Sequence, residues 1–143
     1  MYANAAFGAQ QYASVGVRAG IEDASPHRLI QMLFEGGLQR LATAKGAMQR
    51  EDRAVKGEQI GKAIGIIGGL RESLNPDGGE LSENLESLYA YMQRRLLEAN
   101  IESSIEKLEE VSTLLRDIKE AWDGIAPEQV RQKAESNDTR QSA

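Results

Sequence analysis

Four stretches of the chain carry apolar residues at alternating spacings of three and four. Ile30, Phe34, Gly37, Leu41, Ala44 and Met48 form the first, and Ile60, Ala63, Ile67, Leu70 and Leu74 the second. Leu81, Leu85, Leu88, Met92, Leu96 and Ala99 form the third, and Leu108, Val111, Leu115, Ile118 and Trp122 the fourth. Such spacing keeps side chains on one side of an α-helix, and each helix must then bury that stripe against another. A strand alternates its side chains between two faces and cannot use the pattern. Residue choice agrees. There are five Val and three Thr in 143 residues, and Ala, Leu, Glu, Gln, Lys and Arg dominate. These residues lose least on entering a helix.

Punctuation falls between the stripes. Ser25-Pro26 offers an N-cap hydroxyl and a proline at the first helical position, where a missing N–H costs nothing. Gln49-Arg50-Glu51-Asp52 offers a turn with Asp52 as cap, and Asn75-Pro76-Asp77-Gly78-Gly79 is the strongest turn signal. Asn100 and the serines after it weaken the third helix, and Ser103 followed by Glu106 matches a capping box. Gly124 can end the fourth helix. Four helices of about 20 residues, each about 30 Å long, joined by short links, predict an all-α, antiparallel up-down-up-down four-helix bundle. The bundle spans 25–125. Residues 1–24 form an N-terminal arm and 126–143 a flexible polar tail with room for a short helix after Pro127. A pair of long hairpins completing a bundle only as a dimer is the alternative.

Charge and composition exclude several functions. Lys plus Arg is 17 and Asp plus Glu is 22, a net charge of −5. That sign is wrong for holding nucleic acid through its phosphates. Without Cys, disulfides, thiolate metal sites and cysteine nucleophiles are ruled out, and His27 alone cannot supply a His-rich metal site or a di-iron bundle. No apolar run is long enough to span a membrane, and Met1 to Gly20 lacks the pattern of a secretory signal. A cytosolic protein is expected. Gly57-Glu58-Gln59-Ile60-Gly61-Lys62-Ala63 has one residue too few between its glycines for a phosphate loop, and Ala where a hydroxyl is needed. Carboxylates fall on polar faces beside Lys and Arg, with none forced into acid–base work. His27 could accept phosphate in a phosphotransfer bundle, but a solvated or cap-adjacent histidine is the simpler reading. No catalytic, cofactor-binding or metal site is expected, and no enzyme.

The helices carry more apolar surface than one stripe requires. On the first, Leu29, Met32 and Gly36 lie about 90° from the main stripe at 100° per residue. Tyr91 and Leu97 fall outside the third stripe, and Leu114, Ala121 and Ile125 form a second strip on the fourth. A broad core face explains such residues, and so does a groove for another protein's helix. The second helix has Gly57, Gly61, Gly65 and Gly69 four apart, which sacrifices roughly 3–4 kcal/mol of helix propensity. Removing side chains along one line lets a backbone come close, either a neighbouring helix of the bundle or a partner's helix.

Several motifs in order resemble one family. They are Ala24-Ser25-Pro26-His27-Arg28-Leu29-Ile30-Gln31-Met32-Leu33-Phe34-Glu35-Gly36, then Ile60-Gly61-Lys62-Ala63 leading through Ile66-Ile67 to Leu70, then Gly78-Gly79. Leu85 through Leu88-Tyr89-Ala90-Tyr91-Met92 to Leu96 follows, and Glu110-Val111, Leu114-Leu115 and Ala121-Trp122 close the set. From about Tyr12 to Trp122 the chain resembles the FliS family, the flagellin-specific chaperones of bacterial flagellar type III export. Asp23-Ala24 stands where the family usually has Thr-Ala, a change expected to alter the cap alone.

The resemblance implies a cytosolic antiparallel bundle that wraps the otherwise disordered C-terminal region of flagellin around its outside. Capping that region's apolar faces prevents premature filament growth, and the complex then docks at the export gate. The arm, through Tyr12 and Val15, would cover part of the groove when flagellin is absent. The expected flagellin contacts are Leu29, Met32, Tyr91, Leu97, Leu114 and Ile125, with Gly61 and Gly65 permitting close approach. A monomer or weak homodimer is expected. Phosphotransfer through His27 and a self-associating structural bundle are the alternatives.

Overall fold

A computed structural model describes residues 24–125. The tail, and the arm apart from Ala24, lie outside the described residues. Helix α1 runs Pro26–Gln49, α2 Arg53–Glu72, α3 Gly79–Glu102 and α4 Ile105–Asp123. Among the described residues there is no strand.

The predicted caps mostly hold. Ser25 accepts the Arg28 N–H ahead of Pro26, and Asp52 accepts that of Val55. The capping box is misplaced by one residue. Ser104, not Ser103, caps α4 by accepting the Lys107 N–H. Ser103 instead closes α3 in the left-handed conformation, φ 51°. A residue in that conformation reverses the chain and cannot also serve as the extended N-cap of the next helix.

Contacts between helices pair early residues of one with late residues of the next. Leu33 lies against Gly69 and Arg40 bonds Gln59 across α1 and α2. Arg71 reaches Glu86, Gln93 reaches the Ile64 carbonyl, and Lys56 reaches the Asn100 carbonyl across α2 and α3. Tyr91 bonds Glu110 and Lys107 bonds Glu98 across α3 and α4. His27 meets Trp122 and Lys45 meets Glu109 across α1 and α4. Every neighbouring pair is therefore antiparallel. Each helix packs on two others in a closed ring, the arrangement that short links and 3.5-residue stripes favour.

The core is built from the four stripes. Phe34, Leu41, Ile60, Ile67, Leu70, Met92, Leu96, Leu108, Val111 and Leu115 are fully buried. Leu33, Ile66 and Tyr89 widen it. Leu81 departs from expectation and is 69% exposed. It belongs to the first turn of α3, whose stripe packs on the core only from Leu85 onward. Gly37 faces the side chains of two neighbouring helices at close range. A Cβ there would sit 3.1 Å from Leu115 Cδ2 and 3.4 Å from Ile66 Cγ2.

Two buried polar side chains join the ends of the bundle. Lys56, 8% exposed, donates from Nζ to the Asn100 carbonyl (2.9 Å) and to Ser103 Oγ (2.6 Å). A cation is well placed at the negative end of α3. His27, 6% exposed, stacks on Trp122 with ring centroids 5.1 Å apart. Its Nε2 lies 2.9 Å from the Trp122 carbonyl, and Trp122 Nε1 donates to the His27 carbonyl at 3.0 Å. Of the solvated or cap-adjacent histidine expected, the place beside the Ser25 cap holds and the solvation is corrected. The ring turns to a partner 95 positions away.

Candidate partner-binding surface

The residues left outside the core occupy the outer edges of the seams between helices. Leu29 and Met32 are half-buried on the flank of α1 that faces α2, the flank that carries Leu33 and Arg40. Neither belongs to the buried core. Gly61 and Gly65 are exposed on the outside of α2, and a Cβ at Gly57 or Gly61 would meet nothing within 4 Å. Gly69 alone of the row turns inward, where its Cβ would lie 3.8 Å from Leu33 Cδ1. Packing inside the bundle therefore does not account for Gly57 and Gly61.

Leu97 is 53% exposed on the margin of α3 nearest α2. Tyr91 and Leu114 face one another's helices across the seam between α3 and α4, half-buried and packed on the core. Ile125 is half-buried just beyond α4, its N–H donated to the Trp122 carbonyl at 3.0 Å. The predicted residues thus spread over three seams and do not form one patch. Tyr12 and Val15 lie outside the described residues.

Two exposed apolar residues escaped the sequence reading. Ile101, 83% exposed, was hidden among Asn100, Glu102 and the serines that read as a helix end, although it lies 40° from Leu97 on a helical wheel. Leu81 fitted the third stripe too well to be taken as surface.

A clasp of charges rims the seam between α3 and α4. Tyr91 OH donates to Glu110 Oε2 at 2.5 Å, and Arg95 Nε to Glu110 Oε1 at 2.6 Å. Lys107 Nζ donates to Glu98 at 3.1 Å and Glu102 at 2.6 Å. The Tyr91 hydrogen bond, then the one from Arg95, holds the Glu110 carboxyl below the usual carboxylate range. The Tyr91 hydroxyl is pushed up in turn by its bond to that carboxylate. Lys107 lowers Glu98 in the same way. These groups are solvated and stabilise the seam without offering acid–base chemistry.

No group of His, Asp or Glu side chains among the described residues could hold a metal ion, and none of their helices is long and apolar enough to cross a membrane. The His27 Nε2 is occupied by a carbonyl inside the bundle, which argues against phosphate uptake there. Fold and surface together define a class: an antiparallel four-helix bundle with apolar residues left on its outer seams. The family profile "Flagellar protein FliS" matches residues 8–129. The chain is 56% identical over 127 residues to the flagellar secretion chaperone FliSB of Pseudomonas aeruginosa, covering 88% of this chain and 99% of that one. It is 45% identical to the flagellar secretion chaperone FliS of Salmonella typhimurium (85% and 92% covered) and 42% to that of Vibrio cholerae (83% and 88%). The chain belongs to the FliS family. The role its named relatives carry is a chaperone's, which is not enzymatic.

Proposed function

We propose that this protein is a cytosolic export chaperone. It binds the disordered C-terminal region of flagellin along its outer seams, prevents premature polymerisation and delivers its client to the flagellar type III export apparatus. The observation that carries this reading is apolar surface outside a complete core. Leu97 stands in solvent, Leu29 and Met32 are only half covered, and Gly61 faces open space. Isolated exposed apolar residues need no explanation, but apolar residues aligned on seams beside a glycine row fit the helix-in-groove mode. Their spread over three seams suits a client that wraps. A disordered segment loses conformational entropy on binding and needs a long contact to offset it. No cofactor is needed for such capture.

The test mixes the protein with monomeric flagellin on a sizing column. A stable complex is expected. Substituting Leu29→Asp and Met32→Asp together is expected to abolish capture of a flagellin C-terminal peptide while the far-UV helix signal survives. Loss of both would make these two residues core, and unchanged capture would remove them from the contact surface.

A further inference from the structure

Helix α2 ends in a charge that nothing in the bundle answers. Glu72 is exposed, is the last residue of α2, and makes no ion pair among the described residues. A carboxylate is unfavourable there because the helix C-terminus is already negative. It rims an open cleft of about 460 Å³ with Gly68, Arg71, Glu86 and Gln93. Arg71 is taken up by Glu86 and by Gln93 Oε1 (2.8 Å). Two carboxylates and one guanidinium leave the cleft one negative charge in surplus.

The cleft continues an apolar track. At 100° per residue Gly57, Gly61, Gly65, Gly68 and Glu72 fall on one outward stripe of α2. The contacts Lys56 to Asn100, Ile64 to Gln93 and Arg71 to Glu86 fix the register of α3 beside it. Leu97 then lies level with Gly61 on the α3 margin of the same seam, and Ile101, one turn further along α3, stands in solvent on the outer face of that helix. One end of the seam is bare backbone beside the exposed side chain of Leu97. The other end, three turns on and roughly 16 Å away, is an anionic cleft.

We propose that the seam between α2 and α3 docks one amphipathic helix of the client in a fixed register. Apolar side chains of that helix lie on Leu97 over the glycines, and a lysine or arginine about three turns further along enters the cleft at Glu72. This deepens the flagellin-chaperone reading and rests on it. The apolar end supplies contact area and the charge supplies register, since a helix shifted by a turn or two leaves its cation off the carboxylate or buries it on Leu97.

The experiment measures calorimetric affinity of the full chain for the flagellin C-terminal segment at low and moderate salt. The variants are Glu72→Gln, Glu72→Lys and Leu97→Asp. Glu72→Lys puts a cation at a helix C-terminus, where it is favourable, so weaker binding would not trace to unfolding. Thermal melts check this. Expected are a loss of about threefold for Glu72→Gln and about tenfold for Glu72→Lys, both shrinking as salt rises, and a larger, salt-insensitive loss for Leu97→Asp. Replacing the responsible basic residue of the client with Glu should restore binding to Glu72→Lys. Normal affinity in Glu72→Lys overturns the register, and normal affinity in Leu97→Asp overturns the seam, in each case with chaperone binding intact. No binding by the unaltered protein removes the flagellin reading itself.

Discussion

Glycine is the residue at which helix stability and close approach of another backbone oppose each other. Gly61 has ordinary helical backbone and open space at its Cβ position, so Gly61→Ala should stabilise the fold by about 0.5–1 kcal/mol. A thermal melt reads that gain. Gly37→Ala should gain less or lose, because its new methyl would press on Leu115. If the outside of α2 is a track, Gly61→Leu should keep the melting temperature yet weaken client binding. A stable Gly61→Leu protein with unchanged affinity would end that idea. The sequence showed the row and its cost, but not which way it faced. Gly69 and Gly61 look alike in a string of letters, and only the register of α1 turns one inward. His27 was illegible for a similar reason, since its burial depends on Trp122 at the far end of the domain.

At the scale of elements, the seams differ in what holds them. Between α3 and α4 the clasp of Tyr91, Arg95, Glu98, Lys107 and Glu110 adds charge pairing to the apolar contact. Glu98 and Glu110 have their pKa values lowered in the folded state, as does Asp123 through Lys119. Their contribution is complete above the unfolded carboxylate pKa, about 4.3 for Glu and 3.9 for Asp. It is lost as pH falls through the depressed folded values. Melting temperature should therefore drop between pH 5 and pH 3, and Glu110→Gln should flatten part of that drop. An equal slope in variant and parent would show that the Glu110 part of the clasp contributes nothing. Each element's existence and stripe were legible because a helix repeats its address every three or four residues. Its ends were less so. Ser103 and Ser104 carry the same hydroxyl, and the choice between them was made by the left-handed turn that ends α3. Leu81 kept the rhythm of its helix, but rhythm does not say whether a neighbour extends far enough to cover it.

For the whole molecule, the closed ring means that a client bound as proposed lies on the outside. The sixteen-member core is complete without a guest, so capture need not open the bundle. We propose that the arm through Tyr12 and Val15 occupies part of the same outer surface. Removing the residues before Ser25 should then raise affinity for the flagellin segment several-fold, because a competitor tethered at high effective concentration is gone. Unchanged affinity by calorimetry would count against that cover. The architecture was readable from spacing alone, since short links admit few arrangements of four rods. The distribution of contact residues over three seams was not, because it depends on which flank each helix shows its neighbour.

The mutual hydrogen bonds between His27 and Trp122 have a practical consequence. Trp122 is the chain's sole tryptophan, and it is fastened to the first turn of α1. Its emission is thus an intrinsic gauge of how firmly the first and last rods stay together. A client that merely coats the exterior leaves the indole in place, whereas one that pries the ring apart shifts its spectrum without any label being attached.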